Sequence, residues 1–308
     1  MILATPLFRA IKEKYPDSVI HVLAGRHNYL IIKDNPRISK ILVYEKSPFK
    51  LVKTVLDIRK TKYDYLFDPK DHHSTESRFI ARIAIAERKI GYNSKNKHIY
   101  DFPIPSGKEN KGKHYIEKCL YALKPLFINS VNNIPLPELF TNPDSENYVQ
   151  TFLSGNNIVE FFLINLSASK ESKLYVLEKW AIIINHLFSK GSRIVLTFAP
   201  SEKHYADELS QNFNDLVLFN SRSINDVISL VKRAKILITP DTALVHIASS
   251  FNISMVALFG GLEEEFQKFR PLNENYIALR SPTGIDGIKT IEASEVIKAI
   301  DSLLSLIV

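Results

Sequence analysis

The segment Ile236-Leu-Ile-Thr-Pro-Asp-Thr-Ala-Leu-Val-His246, running on through Ile247-Ala-Ser-Ser and closing on Met255-Val-Ala-Leu-Phe-Gly-Gly261, constrains the fold more than any other stretch. Ile236 to Ile238 is the apolar run of a buried strand, Pro240 stops it, and Asp241 is a favoured N-cap for a helix over Thr242 to Ser249. A second strand, Ser254 to Phe259, ends at a glycine pair. A helix that opens at the carboxyl end of a parallel strand points its first amides and the positive end of its dipole outward, where a diphosphate can sit. Thr242 and His246 are four apart and face the same way. The plainer alternative is an ordinary βαβ unit in which Asp241 only caps a helix.

The same rhythm runs along the whole chain. In the first half, Pro6 to Lys14 reads as a helix, Val19 to Ala24 as a strand, Ile38 to Tyr44 as a strand, Phe49 to Lys60 as a helix and Tyr63 to Phe67 as a strand. Ser74 to Glu87 reads as one helix, Lys89 to Tyr92 as a short strand and Tyr115 to Leu126 as a helix. The Pro- and Asn-rich stretch Asn129 to Asp144 is the linker candidate. Beyond it come a strand at Val159 to Asn165, the polar turn Leu166 to Lys173, and a helix from Tyr175 to Ser189. Strand, helix, strand and helix follow at Ser192 to Phe198, Glu202 to Gln211, Leu216 to Phe219 and Ile224 to Lys232, and a final amphipathic helix spans Ala293 to Leu306. A length of 308 residues divides naturally into two domains of ~150 residues. The expected fold is α/β: two Rossmann-like doubly wound domains, 1–138 and 139–308, facing each other across a cleft with ligands at the carboxyl ends of the strands.

Composition narrows the partners. The single cysteine, Cys119, stands in an apolar context, so neither a disulfide framework nor a Cys-rich metal site is available; buried filler in a reducing compartment is the expectation. No apolar run reaches the ~18 to 20 residues that cross a bilayer, and the reading is a cytoplasmic protein. The net charge of +7 is uneven: residues 1–134 hold 25 Lys and Arg against 13 Asp and Glu, while the remainder holds 15 against 20. The basic half, with Lys46, Lys50, Lys53, Arg59, Lys60 and Lys62 among its cations, favours an anionic partner such as a membrane surface or a phosphorylated or carboxylated acceptor. No nucleic-acid fold signature accompanies it, and a solvated Lys-rich face is the plainer alternative.

Four ordered motifs resemble glycosyltransferase family 9, the ADP-heptose:lipopolysaccharide heptosyltransferases and their relatives: Thr5-Pro-Leu-Phe-Arg-Ala-Ile-Lys with Tyr15-Pro-Asp, Asn165-Leu-Ser-Ala-Ser with Lys173, Pro240-Asp-Thr-Ala-Leu-Val-His246, and Val256-Ala-Leu-Phe-Gly260. The resemblance runs over nearly the whole chain and implies the GT-B fold, donor binding on the C-terminal domain, acceptor binding on the N-terminal domain, and inversion of the anomeric centre with no metal and no cofactor. It implies a donor site at Ser167, Ser169, Lys173, Glu202, Asp241, Thr242, Ala243 and His246, with the diphosphate at the amides of Asp241, Thr242 and Ala243. Lys173 matches the lysine that neutralises the leaving diphosphate, a role suited to a fixed cation because charge grows there as the glycosidic bond breaks. Glu202 matches an acidic residue on the nucleoside, and its plainer reading is a first-turn helix carboxylate.

The chain departs from that pattern at its start. The family's strand and Gly-Asp pair align ahead of Met1, so the Asp proposed as general base and the first strand of the N-terminal domain are expected just before the first residue. A base of that kind contributes ~10²- to 10⁴-fold. The loop Asp68-Pro-Lys-Asp-His-His-Ser-Thr-Glu-Ser-Arg78 is the other polar concentration; adjacent histidines on one loop seldom converge on an ion, so an acceptor contact through His73 and Arg78 is expected rather than a metal. The resulting expectation is an inverting transferase moving heptose from ADP-heptose onto a lipopolysaccharide inner-core acceptor, in peripheral contact with the inner face of the inner membrane. A donor-binding homologue impaired in turnover and a GT-B-like sugar-nucleotide epimerase are the alternatives.

Overall fold

A computed structural model of the chain describes residues 1–45, 47–93, 98–128, 133–168, 170–282 and 287–307. The chain divides into two compact units, Leu3–Pro135 with Met1 and Leu136–Val308 with Ile2.

The first unit runs α1 (Thr5–Lys14), β1 (His21–Gly25), α2 (Tyr29–Ile32), β2 (Lys40–Tyr44), α3 (Pro48–Arg59), β3 (Lys62–Phe67), α4 (Thr75–Ile83), β4 (Ile85–Gly91), β5 (Phe102–Pro103) and α5 (Tyr115–Tyr121). Among the described residues β1 pairs with β2, β3 with β4 and β4 with β5, all parallel, as two sheets. Leu23 of β1 and Leu66 of β3 nevertheless pack on one small core of Leu42, Ile58 and Ala84.

The single helix expected over Ser74 to Glu87 is two elements. Ser74 caps α4 by accepting from the Ser77 amide, and the helix ends at Ile83 because Ala84 turns extended and Ile85 enters the ladder beside Lys62. Ala favours helix and Ile strand, so the alternating run Ile83-Ala-Ile-Ala86 is divided in isolation, and the pairing with β3 decides it. Cys119 is fully buried, as expected, and burial pushes its thiol up to about 12.

The second unit runs α6 (Pro143–Gly155), β6 (Phe162–Asn165), α7 (Leu177–Ser189), β7 (Ile194–Thr197), α8 (Lys203–Asn212), β8 (Val217–Phe219), α9 (Ile224–Val231), β9 (Ile236–Pro240), α10 (Ala243–Ser250), β10 (Ser254–Phe259), α11 (Glu263–Phe269), β11 (Tyr276–Arg280) and α12 (Ala293–Ile307). Its strands form one parallel sheet in the order β11-β10-β9-β6-β7-β8. The order runs outward in both directions from β6 and β9, so the topological switch point lies between those two strands, and their carboxyl ends are where such a sheet binds ligands. Every residue of β6, β7, β9 and β10 is buried, which explains why these strands read as unbroken apolar runs rather than alternating ones. Trp180, Ile183, Ile184 and Leu187 of α7 share one core with Val296, Ile300 and Leu303 of α12.

The linker expectation needs correcting at its end. Asn142 accepts from the Ser145 amide and Pro143 stands in the first helical turn, so the stretch opens α6 instead of remaining irregular. Glu146 of α6 then meets Lys232 at 3.1 Å and Arg233 at 2.7 Å just beyond α9. Partial burial pushes its carboxyl up, but hydrogen bonds from Thr141, Arg233 and Lys232 outweigh that and hold it at about 2. The stabilisation is therefore complete above the ordinary value of 4.5 and disappears as pH falls towards the folded value. Glu146→Gln is expected to lower the thermal midpoint at neutral pH, with the gap from the native chain closing as a melt series descends through that window. A gap independent of pH would mean the carboxylate is not the stabilising group.

Candidate functional site

At the switch point a polar network replaces the apolar strand interiors. Asn165, the last residue of β6, donates through Nδ2 to Thr239 Oγ1 at 3.0 Å, Thr242 Oγ1 at 3.2 Å and the Ser167 carbonyl at 3.2 Å, while its Oδ1 accepts from the Ser167 amide at 3.0 Å. Thr239 donates onward to the Pro240 carbonyl at 2.8 Å. The Ser167 hydroxyl accepts from the Ala199 amide at 2.5 Å, which ties the turn after β6 to the one after β7. One amide side chain thus fixes the ends of β6 and β9 together, and each buried polar group finds its partner inside the protein.

The helix opening differs from the expectation by one residue. Thr242, not Asp241, is the N-cap of α10: its hydroxyl accepts from the Leu244 amide and the helix begins at Ala243. Asp241 is still held by the sheet, because its amide donates to the Leu258 carbonyl at 2.8 Å. The amide of Asp241 is therefore committed to the ladder with β10, and of the three amides expected at the diphosphate only those of Thr242 and Ala243 remain as candidates. Asp241 instead presents its carboxylate, which receives Lys173 Nζ at 2.5 Å. Both side chains are only partly exposed, 23% for Lys173 and 12% for Asp241, so the pair sits at a rim open to solvent on one side.

Lys173 reaches that point from a 3-10 turn, Glu171–Lys173, whose placement depends on a glycine that the sequence reading passed over. Gly287 has φ +60° and lies so close to this turn that a Cβ on it would stand 1.9 Å from the Ser172 carbonyl oxygen. Only glycine fits, for space and for conformation alike.

The remaining expected residues are distributed as follows. Glu202 ends the 3-10 turn after β7, half-buried, with Ser201 Oγ donating to its Oε1 at 2.7 Å. His246 lies one turn into α10, half-buried, with its ring 6.2 Å from that of Phe269. Ser169 lies outside the described residues. In the first unit, His73 is exposed on the loop after β3, whereas Arg78 is buried within α4 instead of presented to solvent. Its neighbours there include Tyr100, whose hydroxyl donates to Asp68 at 2.8 Å and is pushed upward by burial and by that carboxylate, with Arg78 working against the rise. The polar loop also holds a buried pair, Lys118 to Asp71 at 3.1 Å, which anchors it to α5. Among the described residues no cluster of His, Cys, Asp or Glu forms a metal site, and no helix is long and apolar enough to cross a membrane.

Asn165, Thr239 and Gly287 are the site residues that sequence reasoning missed. The first two carried a signal: each is the one polar residue in an otherwise apolar buried strand, Asn165 its last and Thr239 its last but one. Gly287 carried none, since its neighbour across the contact is distant in the chain. Gly287→Ala is expected to cost more than ~1 kcal/mol and to loosen the lysine-bearing turn. Thermal unfolding and tryptic cleavage at Lys170 and Lys173 check this, and an unchanged midpoint with unchanged cleavage rates would show that the close packing is not real.

The profile described as Glycosyltransferase family 9 (heptosyltransferase) matches residues 51–293. Lipopolysaccharide heptosyltransferase 3 of Escherichia coli is 24% identical, over 99% of this chain and 96% of its own. Among solved structures, the glycosyl transferase family 9 from Veillonella parvula DSM 2008 matches with a TM-score of 0.83 at 17% identity, covering 99% of this chain and 93% of that one. The Escherichia coli heptosyltransferase WaaC with ADP matches with a TM-score of 0.78 at 16% identity, covering 98% and 95%. These structural likenesses establish the GT-B fold.

Proposed function

The chain belongs to glycosyltransferase family 9, and from that premise we propose that it is an inverting transferase that carries heptose from ADP-heptose onto the inner core of lipopolysaccharide. In this reading it works at the inner face of the inner membrane and uses neither a metal nor a separate cofactor. The reading is supported by one observation above the others, the fixed cation of Lys173 held by Asp241 beside the opening of α10, at the carboxyl ends of β6 and β9. A solved relative whose fold the chain shares is described with ADP, and the curated relative is named for heptose transfer to lipopolysaccharide.

The chemistry follows from where charge moves. As the bond from the anomeric carbon to the diphosphate breaks, negative charge collects on the leaving oxygen. A cation fixed there stabilises the transition state more than the ground state. An ion pair open to solvent on one side adds little to folding stability, so the value of the Lys173–Asp241 pair lies in position. Asp241 keeps the ammonium at the helix mouth, and as a carboxylate it is a poor direct neighbour for a phosphate, so its proposed role is to hold Lys173. The amides of Thr242 and Ala243, the Ser167 hydroxyl and Ser169 are proposed to receive the diphosphate, Glu202 the nucleoside, and His246 to stand near the phosphates. The acceptor is proposed to be taken by the basic first unit, with His73 at its surface and Arg78 acting from within through the Asp68–Tyr100 pair.

The test follows ADP release from ADP-heptose with a heptose-deficient lipopolysaccharide acceptor, alongside calorimetric titration of ADP. Lys173→Ala is expected to lower kcat by ~10²- to 10³-fold, the size of loss seen when one charge-stabilising group is removed. Asp241→Ala is expected to weaken ADP binding by freeing the lysine, and unchanged affinity in that variant would sink the proposed site. Binding of ADP-heptose without transfer would point to the impaired donor-binding homologue, and sugar released with no acceptor present would point to an epimerase.

A further inference from the structure

Helix α3 turns one face inward and leaves another uncovered. Thr54 and Ile58 are buried: the Thr54 hydroxyl donates to the Lys50 carbonyl at 2.9 Å, and Ile58 packs with Leu42 and Ala84. On the opposite side Phe49 is 89% exposed, Val52 59% and Leu56 56%. These positions are three and four residues apart, so they form one stripe along the helix axis. A lone exposed apolar residue is ordinary, but three large ones aligned on one helix mark a surface that something covers.

The flanks of the stripe say what that is. By helical spacing Lys53 and Lys60 border it on one side and Arg59 on the other, all exposed, and Asp57 is the only acid on the helix. The unit that carries it has the basic excess, 25 Lys and Arg against 13 Asp and Glu over residues 1–134. A second copy of the chain would bring the same cations against these in a symmetric contact, which opposes that occupant. An apolar stripe rimmed by cations matches a surface whose outer layer is anionic and whose interior is hydrocarbon.

We propose that α3 is a membrane-docking helix that lies in the interface of an anionic bilayer. Phe49, Val52 and Leu56 enter the boundary between headgroups and acyl chains. Lys53, Arg59 and Lys60 keep their stems along that boundary and their charges at the lipid phosphates. The inference deepens the proposed function and rests on it for the purpose of such a surface, since a lipid-borne acceptor has to be met at a membrane.

Vesicle co-sedimentation of the full chain, without donor or acceptor, tests the surface separately from the reaction. The native chain is expected to pellet with vesicles of phosphatidylglycerol and phosphatidylethanolamine, to pellet poorly with phosphatidylcholine, and to be released by salt. The triple variant Phe49→Ser, Val52→Ser, Leu56→Ser is expected to partition on the order of tenfold more weakly, since three apolar side chains leave the interface. Its circular dichroism and its transfer to a soluble, delipidated acceptor should match the native chain. The second variant, Lys53→Glu with Arg59→Glu, leaves the stripe intact and should lose the preference for anionic vesicles, which keeps the test decisive if the triple variant folds poorly. Equal pelleting by both variants would overturn the proposal, as would a native chain that ignores anionic vesicles or an α3-dependent dimer in sedimentation velocity without vesicle binding. Vesicle binding by a chain that transfers no sugar would count against the proposed reaction while supporting α3 as the membrane face.

Discussion

Burial of β9 over its whole length is the constraint on which the second unit depends. Ile236 through Pro240 have no solvent face, so the strand needs a parallel neighbour on each edge, which β6 and β10 supply. Its one polar side chain, Thr239, must also be satisfied inside the protein. Asn165 meets that demand and in doing so reaches Thr242, so the same amide that completes the core sets the cap of α10. Asp241, suspended between that cap and the Leu258 carbonyl, inherits the rigidity of the sheet and passes it to Lys173. The placement of the Lys173 ammonium is thus a by-product of how a buried strand satisfies its hydrogen bonds.

The first unit is built differently. Its described strands form two short sheets, and its polar loop is held by contacts that include Asp71 to Lys118 and Asp68 to Tyr100. Loops tolerate more variation in sequence than the elements they join, a useful property where an acceptor is proposed to be recognised. The second unit, whose proposed ligand is a common nucleotide, gains more from a fixed geometry.

Much of this was legible in the sequence because parallel strands buried on both faces announce themselves as apolar runs, and Pro240 and the Gly260 pair mark where two of them stop. The βαβ rhythm and the helix opening after Pro240 were readable on that basis, while Lys173 was singled out only by the resemblance to the family. Four features were not. The break after Ile83 depends on pairing with β3, which a run of Ala and Ile cannot signal. The helix after Asn142 was hidden by the proline that in fact opens it. The division of cap and carboxylate between Thr242 and Asp241 turns on the Leu258 carbonyl taking the Asp241 amide, and Gly287 on the Ser172 carbonyl, both contacts across the fold. Local chemistry fixes what an element is, while long-range contacts fix where it stops and which of two adjacent residues does which task.

The chain contains one tryptophan, and it is Trp180, buried in α7 with its ring edge-on to Tyr175 at 5.0 Å between centroids. Its surroundings belong to the core that α7 shares with α12 and the six-stranded sheet. Intrinsic indole emission therefore senses the integrity of the C-terminal unit, whereas the N-terminal unit, with its thirteen-residue acid complement and its two small sheets, is spectroscopically silent in that channel. If the two units melt separately, an emission-detected denaturation curve describes only half the molecule, and backbone ellipticity beside it separates the stability of the C-terminal core from that of the basic one.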